Sequence, residues 1–471
     1  MIERWNRDQV LALAPDAPSR KAAQGVSSPG KWSGAGVTAD ALWGECAGSG
    51  ATPYRACVDL SGPAYRCGCP SRKFPCKHVL GLLLLWSADG VPAVAEPAAW
   101  VTEWLDRRRA RGAAPVPGPA PAHAATPVHG PASARAAVPV PGAAQAAEPG
   151  TGPDPRRAAQ RERRVAAGLA ELESRLADQV RQGLAGARHD HWDDLAKRLI
   201  DAQAPAVAGA VSRLGAVLAA DDWPGRLLGE YALLYLLAVA YRRLPGAERS
   251  GADPEAGLLH TVRERAGFPV AREEVLAAPA VRDVWDVLGG RDEEHDRLTA
   301  RRVWLLGRTT GRVALLLSYA HAGQALDAPP VTGTALDADL AFYPGSAPLR
   351  ALVAVQHGAA PAAPPSGVTP ERALAEVAAA LAKDPWLDSW PVVLDPVTPM
   401  PPATSAGTPA RNGRWLLAGP SGGLPLHPSA GTPWRLVATS GGHPLTVAAE
   451  WTPRGLRPLT TWDAEGRVIV L

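Results

Sequence analysis

Three cysteines and one histidine fall within twelve consecutive residues, at Cys67, Cys69, Cys76 and His78. The chain has five cysteines in 471 residues, so chance does not readily place three of them this close together. Zinc prefers four tetrahedral nitrogen and sulfur ligands, and a closed set of four is typical of a structural site. We therefore predict that these residues bind one Zn²⁺ per chain.

The spacing of the four residues predicts how each one reaches the metal. Cys67 and Cys69 are two apart, so an extended segment would point both side chains the same way. Cys76 and His78 are also two apart, a spacing that does not converge inside a helix. We expect Cys76 at a helix start, His78 in the first turn, and the apolar run Val79–Trp86 as that helix. A redox pair of Cys67 and Cys69 is the alternative, but no thioredoxin-like βαβ pattern accompanies it.

The pattern Cys-x-Cys, six residues, Cys-x-His resembles the SWIM zinc finger. Residues 43–46 and 54–60 are similar to the two strands that precede that finger, and the resemblance covers residues 30–90. The order of finger, Pro/Ala linker and long C-terminal part resembles the stand-alone bacterial SWIM proteins. This resemblance implies a finger of a β-hairpin plus a helix, which binds protein or DNA without catalysis.

The resemblance also implies a class of partner. Bacterial proteins of this kind are often encoded beside MoxR-type AAA ATPases and von Willebrand A-domain proteins. We therefore expect a protein–protein interaction or scaffolding role, with an AAA ATPase or a von Willebrand A-domain protein as the candidate partner. DNA binding through the basic finger surface is the alternative. The sequence has no P-loop, dinucleotide fingerprint, nucleophile elbow or helical zincin motif, so we expect no enzyme activity and no small-molecule substrate.

Basic residues and one aromatic residue surround the predicted zinc site, at Arg66, Arg72, Lys73, Phe74 and Lys77. They are candidates for contact with a partner or nucleic acid, because Lys and Arg bind phosphates and an aromatic ring stacks on a base. A purely structural role is the alternative for each of them. The cations would then offset the net negative charge of zinc with three thiolates, or form a solvated face. Phe74 would close the small core over the metal.

Cys46 and Cys57 are the remaining cysteines. We expect both to be small buried apolar residues of the hairpin, the alternative being extra metal ligands. An odd number of cysteines, all in the first 80 residues, indicates metal binding in a reducing compartment. No signal-peptide core follows Met1, and the most apolar stretch, residues 227–241, is too short for a membrane span. These features predict a cytoplasmic location and no membrane segment.

Composition and periodicity divide the chain into the regions of a multidomain α+β protein. Residues 1–111 contain the finger, and residues 112–155 form a disordered Ala/Pro/Gly linker because they lack apolar periodicity. Residues 156–297 are predicted to be helical and residues 298–471 mainly β. Such a linker would let the first unit move independently of the rest. The net charge of +3 is close to balance, which disfavours a nucleic-acid binder acting through the whole chain.

Individual elements follow from the same patterns. In the helical region, apolar residues from Val165 to Leu184 recur at helical spacing, and residues 227–244 should lie at the centre of a bundle. Pro205 and Pro224 should each occupy a first helical position, and residues 189–194 should form a helix cap and turn. In the C-terminal region the predicted elements are a hairpin of 302–306 and 312–319, a helix at 370–382, and strands at 434–439, 445–451 and 467–471. Residues 292–294 are predicted to lie on a charged helix face.

Overall fold

The computed structural model describes residues 4–48, 52–62, 64–71, 73–113, 155–187, 189–244, 254–295, 298–321, 326, 328–402, 404–405, 408–409 and 413–471. Most of the predicted linker lies outside the described residues. The first and last residues of the predicted range 112–155 are helical. One helix ends at Ala113 and the next begins at Pro155. The predicted order of finger, helical region and mainly β C-terminal region is confirmed.

The N-terminal unit is an antiparallel sheet covered by helices. Its strands pair in the order β1-β2-β3-β4, which extends the predicted hairpin at both edges. The third helix lies between the sheet and the first two helices, so its residues 78–86 are all buried. The elements are α1 (Arg7–Ala12), α2 (Ala17–Gln24), β1 (Trp32–Val37), β2 (Ala41–Cys46), β3 (Tyr54–Asp59), β4 (Ala64–Cys67), α3 (Lys77–Ser87) and α4 (Ala99–Ala113).

A helical bundle follows, and its first helix confirms the predicted amphipathic pattern. Val165, Leu169, Leu172 and Leu176 are buried against the other helices, since their spacing places them on one face. Pro205 begins a helix as predicted, whereas Pro224 is the second residue of its helix. The elements are α5 (Pro155–Gln182), α6 (His189–Asp201), α7 (Pro205–Ser212), α8 (Leu214–Val217), α9 (Trp223–Arg243), α10 (Pro254–Ala266) and α11 (Arg272–Ala277).

Helix α9 does not lie at the centre of the bundle on every side. Leu227, Tyr231 and Leu234 are buried, but Leu228 is 47% exposed and Tyr235 is 41% exposed. The apolar run therefore has one packed face and one solvent face, and the prediction that these residues lie at the centre of the bundle is wrong. No helix in the described part of the chain is long and apolar enough to cross a bilayer.

The change from helix to strand comes earlier than predicted. Residues 281–295 form a long strand, although the sequence pattern assigned them to the helical region. The apolar residues Val281, Val284, Trp285 and Leu288 recur at intervals of three and four, which suits a helix. In the strand they divide between two faces, because successive side chains of a strand point to opposite sides of the sheet. Trp285 packs in one core cluster and Leu288 in another. The charged residues 292–294 accordingly lie on this strand, not on a helix face.

This strand begins a closed barrel with the strand order β5-β6-β7-β9-β8. The predicted hairpin is confirmed as its second and third strands. Asp283 stabilises the hairpin turn by accepting hydrogen bonds from the backbone N–H groups of Thr309 and Thr310 and from the Thr310 hydroxyl. The strands are β5 (Val281–His295), β6 (Leu298–Gly307), β7 (Val313–His321), β8 (Ala335–Phe342) and β9 (Arg350–Ala360).

A second sheet, in the order β14-β13-β10-β15-β16-β17, packs against two helices. The predicted helix at 370–382 and the predicted strands at 445–451 and 467–471 are confirmed. The elements are α12 (Pro370–Lys383), β10 (Trp390–Met400), β11 (Thr404–Ser405), β12 (Thr408–Pro409), β13 (Leu416–Ala418), β14 (Gly423–Pro425), α13 (Trp434–Ser440), β15 (Leu445–Thr452), β16 (Gly455–Trp462) and β17 (Val468–Val470).

The predicted strand at 434–439 is wrong, because these residues form helix α13. Trp434 and Leu436 suggested alternation, but Trp434 is exposed and the buried residues are Leu436 and Ser440. A spacing of four places those two on one helical face. Gly441 follows in the left-handed conformation that commonly ends a helix.

The N-terminal unit packs against the C-terminal β region, so the prediction that it moves independently is wrong. The Asn6 side chain donates to the Val468 carbonyl at 2.8 Å, and the Gln9 side chain donates to the Thr332 carbonyl at 2.8 Å. Val331 belongs to the same apolar core as helix α3. The linker connects these units along the chain, but their contacts do not depend on it.

A buried ion cluster joins the barrel to the second sheet. Glu450 on β15 is completely buried, and its carboxylate faces three arginines from three other strands. The nearest nitrogen–oxygen distances are 2.7 Å to Arg291 on β5, 3.4 Å to Arg302 on β6 and 3.4 Å to Arg457 on β16. The three arginines are partly buried, and Glu450 is the completely buried counter-ion that all three share.

The imidazole of His427 lies beside this cluster, and we expect it to make stability depend on pH. Burial, together with Arg457 and other nearby arginines, lowers the pKa of His427 from 6.5 to about 4. The unfolded chain therefore binds the proton more tightly. The contribution of His427 to the free energy of unfolding is complete above pH 6.5 and is lost as the pH falls towards 4. The loss is at most about 3 kcal/mol, because water screens part of the charge of the arginines.

Urea denaturation between pH 7 and pH 4 measures this dependence. The variant His427→Asn should show a flatter profile over the same range, because Asn does not titrate and can still accept the hydrogen bond from the Ser429 N–H. Identical slopes for the variant and the wild-type chain would contradict the assignment to His427.

Candidate metal centre

Strand β4, the loop after it and helix α3 bring the predicted zinc ligands together. Cys67 is the last residue of β4, and Cys69 follows in the loop. Cys76 is the N-cap of α3 and His78 is the second residue of that helix, as the spacing predicted. The strand end and the helix start meet because both pack on the core of the N-terminal unit.

The geometry of the cluster suits a tetrahedral metal. The ligand atoms of Cys67, Cys69, Cys76 and His78 all lie within 4.8 Å of one another. The Cys67 Sγ atom is 3.8 Å from His78 Nδ1. Bonds of ~2.3 Å to sulfur and ~2.0 Å to nitrogen place neighbouring tetrahedral ligands roughly 3.5–3.8 Å apart. Three sulfurs and one imidazole nitrogen at these separations fit zinc with no large rearrangement.

Electrostatics favour a thiolate at the start of helix α3. A hydrogen bond from the Cys67 thiol holds the pKa of Cys76 well below its usual range, and the Val79 N–H contributes in the same direction. The same hydrogen bond to Cys76, together with burial, raises the pKa of Cys67. Metal binding requires deprotonated cysteines, so the cluster already holds one thiolate where a cation would sit.

Comparison with known families identifies two segments of the chain. A model described as the SWIM zinc finger matches residues 57–86, which include all four clustered residues. The chain therefore contains a SWIM zinc finger. A second model, described as the SWIM-associated four-helix bundle domain, matches residues 160–265, which lie within α5 to α10. No curated protein and no solved structure matches the chain.

The SWIM finger surrounds its cluster with packed side chains. His78 is buried, and its ring lies 4.8 Å from the ring of Tyr54, measured between centroids. Cys76 is 2% exposed, and Phe74 packs against Tyr65 at 5.9 Å between ring centroids. Phe74 is therefore partly buried and packs against the core beside the cluster.

Cys46 and Cys57 are buried in strands β2 and β3, as predicted. Burial raises the pKa of Cys57 to about 12, which is unlike a metal-binding thiol. Within the part of the chain that the structure describes, neither cysteine belongs to the cluster of candidate metal ligands. Both cysteines are therefore small apolar core residues of the SWIM finger.

The SWIM finger does not bring the predicted contact residues together on one surface. Lys73 and Lys77 line one groove, whereas Arg66 on β4 lines another together with Asp59. Arg72 lies outside the described residues. Sequence reasoning missed Lys31, which lines the same groove as Lys73 and Lys77. No local signal marks Lys31, because it reaches the site only through the pairing of β1 with β2.

We expect one zinc per chain. The cluster supplies one complete set of four ligands, and Cys46 and Cys57 lie outside it. Elemental analysis of the purified chain should give a zinc-to-protein ratio close to one. A ratio near two would mean that Cys46 and Cys57 contribute to a second site.

Proposed function

We propose that the chain is a zinc-binding interaction protein, in which the SWIM finger holds a structural Zn²⁺ through Cys67, Cys69, Cys76 and His78. The observation that carries this proposal is the closed set of four protein ligands in a packed core. A catalytic zinc has three protein ligands and keeps an open position for water or substrate. Four ligands use every tetrahedral position, so this zinc would stabilise the fold and would not polarise a substrate.

The proposed ligand is a protein partner, and the chain acts as a binding platform and not as an enzyme. Its net charge of +3 gives little general attraction for nucleic acid. The bundle belongs to the same platform as the C-terminal region, because a hydrogen bond joins the two. The Trp386 indole donates to the Leu233 carbonyl of α9 at 2.9 Å. An AAA ATPase or a von Willebrand A-domain protein is the partner that the family resemblance suggests.

We place the protein in a reducing compartment such as the cytoplasm. All five cysteines are free thiols, and three of them lie in the metal cluster. Oxidation of clustered thiols would compete with metal binding, so a reducing compartment suits the proposed site.

Capture from a lysate of the source cells tests the interaction role. The tagged full chain should retain a protein partner after nuclease treatment, and chelation of zinc should abolish the capture. DNA binding is the alternative that the lysines near the SWIM finger favour. Capture that disappears with nuclease, or a steep loss of affinity with salt, would support DNA binding and contradict the protein partner.

A further inference from the structure

A groove of about 670 Å³ runs beside the SWIM finger, between helix α2 and the segment that follows Cys69. We propose that this groove binds an acidic segment of the partner protein, with one or more apolar side chains among its carboxylates. The inference rests on the proposed interaction role and adds the docking surface and the chemistry of the ligand.

Charge is the first reason for an acidic ligand. Lys31, Lys73 and Lys77 line the groove, and no carboxylate does so among the described residues. Asp16 lies outside it and forms an ion pair with Lys73. Lys31 and Lys77 form no ion pair within the part of the chain that the structure describes. The groove therefore offers exposed ammonium groups whose natural complement is a row of carboxylates.

The apolar part of the wall is the second reason. Pro18 and Val26 come from the N-terminal helical segment, and Tyr54 comes from the start of β3. A groove lined by both apolar and positively charged side chains suits a peptide that buries an apolar side chain and places carboxylates beside the lysines. A DNA duplex would need lysines spaced along an open surface to follow its phosphates, and this groove is concave.

Three separate elements hold the groove in place. Lys31 ends the short turn Pro29–Lys31, and Lys77 is the first residue of α3. The Trp32 indole donates to the Val26 carbonyl at 2.7 Å, which fixes the turn against the segment after α2. The Lys73–Asp16 ion pair closes one end by joining the cap of α2 to the loop before Cys76. The docking surface therefore forms only when the SWIM finger is folded.

Selection from a phage-displayed library of random dodecapeptides, with the zinc-loaded full chain as target, tests the proposal. The selected peptides should be rich in Asp and Glu with interspersed apolar residues. A fluorescein-labelled copy of the strongest peptide should bind the double variant Lys31→Gln, Lys77→Gln roughly tenfold more weakly, because two charge pairs are lost. The matched control Arg66→Gln removes one positive charge from the other groove and should bind like the wild-type chain.

Selection of no peptide or of peptides without acidic residues would overturn the proposal, as would equal binding to the double variant. A labelled DNA duplex that binds the wild-type chain and not the double variant would also overturn it, in favour of nucleic acid. The zinc content of each variant shows whether its finger is intact. If the double variant keeps its zinc and still captures the protein from lysate, the interaction role stands and the partner docks elsewhere.

Discussion

Replacing Cys76 by alanine should unfold the SWIM finger. Cys76 is both a proposed zinc ligand and the buried N-cap residue of α3, so its loss opens the site directly at the start of that helix. Structural zinc contributes about 10–16 kcal/mol of apparent binding free energy in finger peptides. This is as large as the whole net stability of a typical domain, ~5–15 kcal/mol. His78→Ala should have the same effect.

Hydrogen exchange of the full chain, read by mass spectrometry, measures how far the unfolding spreads. Peptides from β2 to α3 should lose their protection from exchange. The bundle of α5–α10 should keep its protection, because the core of the bundle contains no residue of the N-terminal unit. The β region should lose protection near Val331, Thr332 and Val468, which contact the N-terminal unit.

Cys57→Ala is the matched control for this experiment. It makes the same chemical change at an equally buried cysteine of the SWIM finger, but it leaves the four clustered residues intact. Its zinc content should equal that of the wild-type chain. Protection in α3 that survives in Cys76→Ala, or after chelation of the wild-type chain, would show that the fold does not need zinc.

The ligand cluster could be predicted from the sequence because its four residues are close together along the chain. Cys67 and His78 are eleven positions apart, and the intervals of two at each end exclude most geometries other than a strand end and a helix start. The apolar run after His78 then predicts α3. The amphipathic face of α5 could be predicted for the same reason, since the spacing of the apolar residues from Val165 to Leu176 is enough to define it.

The features that the sequence did not predict depend on distant parts of the chain. The residues of β5 have apolar spacing that suits a helix, and only pairing with β6 and β8 makes them a strand. Lys31 joins the groove beside the SWIM finger through a strand pairing, and the N-terminal unit meets β17 across almost the whole length of the chain. No periodicity encodes such contacts, because they depend on which surfaces remain exposed once each element has formed.

Replacing Glu450 by glutamine should destabilise the C-terminal region by about 3–5 kcal/mol, the usual cost of breaking a buried ion pair by removing one partner. The variant keeps the shape of the side chain but removes the counter-ion of Arg291, Arg302 and Arg457. We expect Arg302 to be the most sensitive of the three, because it is the least exposed and its Nε atom lies 3.4 Å from a Glu450 carboxylate oxygen. The mutation therefore leaves these partly buried guanidinium groups without the one buried carboxylate that all three contact.

Glu293→Gln provides the matched control. Glu293 contacts Arg291 from β5, but its side chain is 25% exposed, so water can solvate the arginine when the charge is lost. Urea denaturation at pH 7 should show a loss of about 1 kcal/mol or less for Glu293→Gln. Equal losses for the two variants would mean that water reaches the guanidinium groups around Glu450 as freely as those at the surface. The barrel and the second sheet would then be held together by apolar contacts alone, without a need for this buried carboxylate.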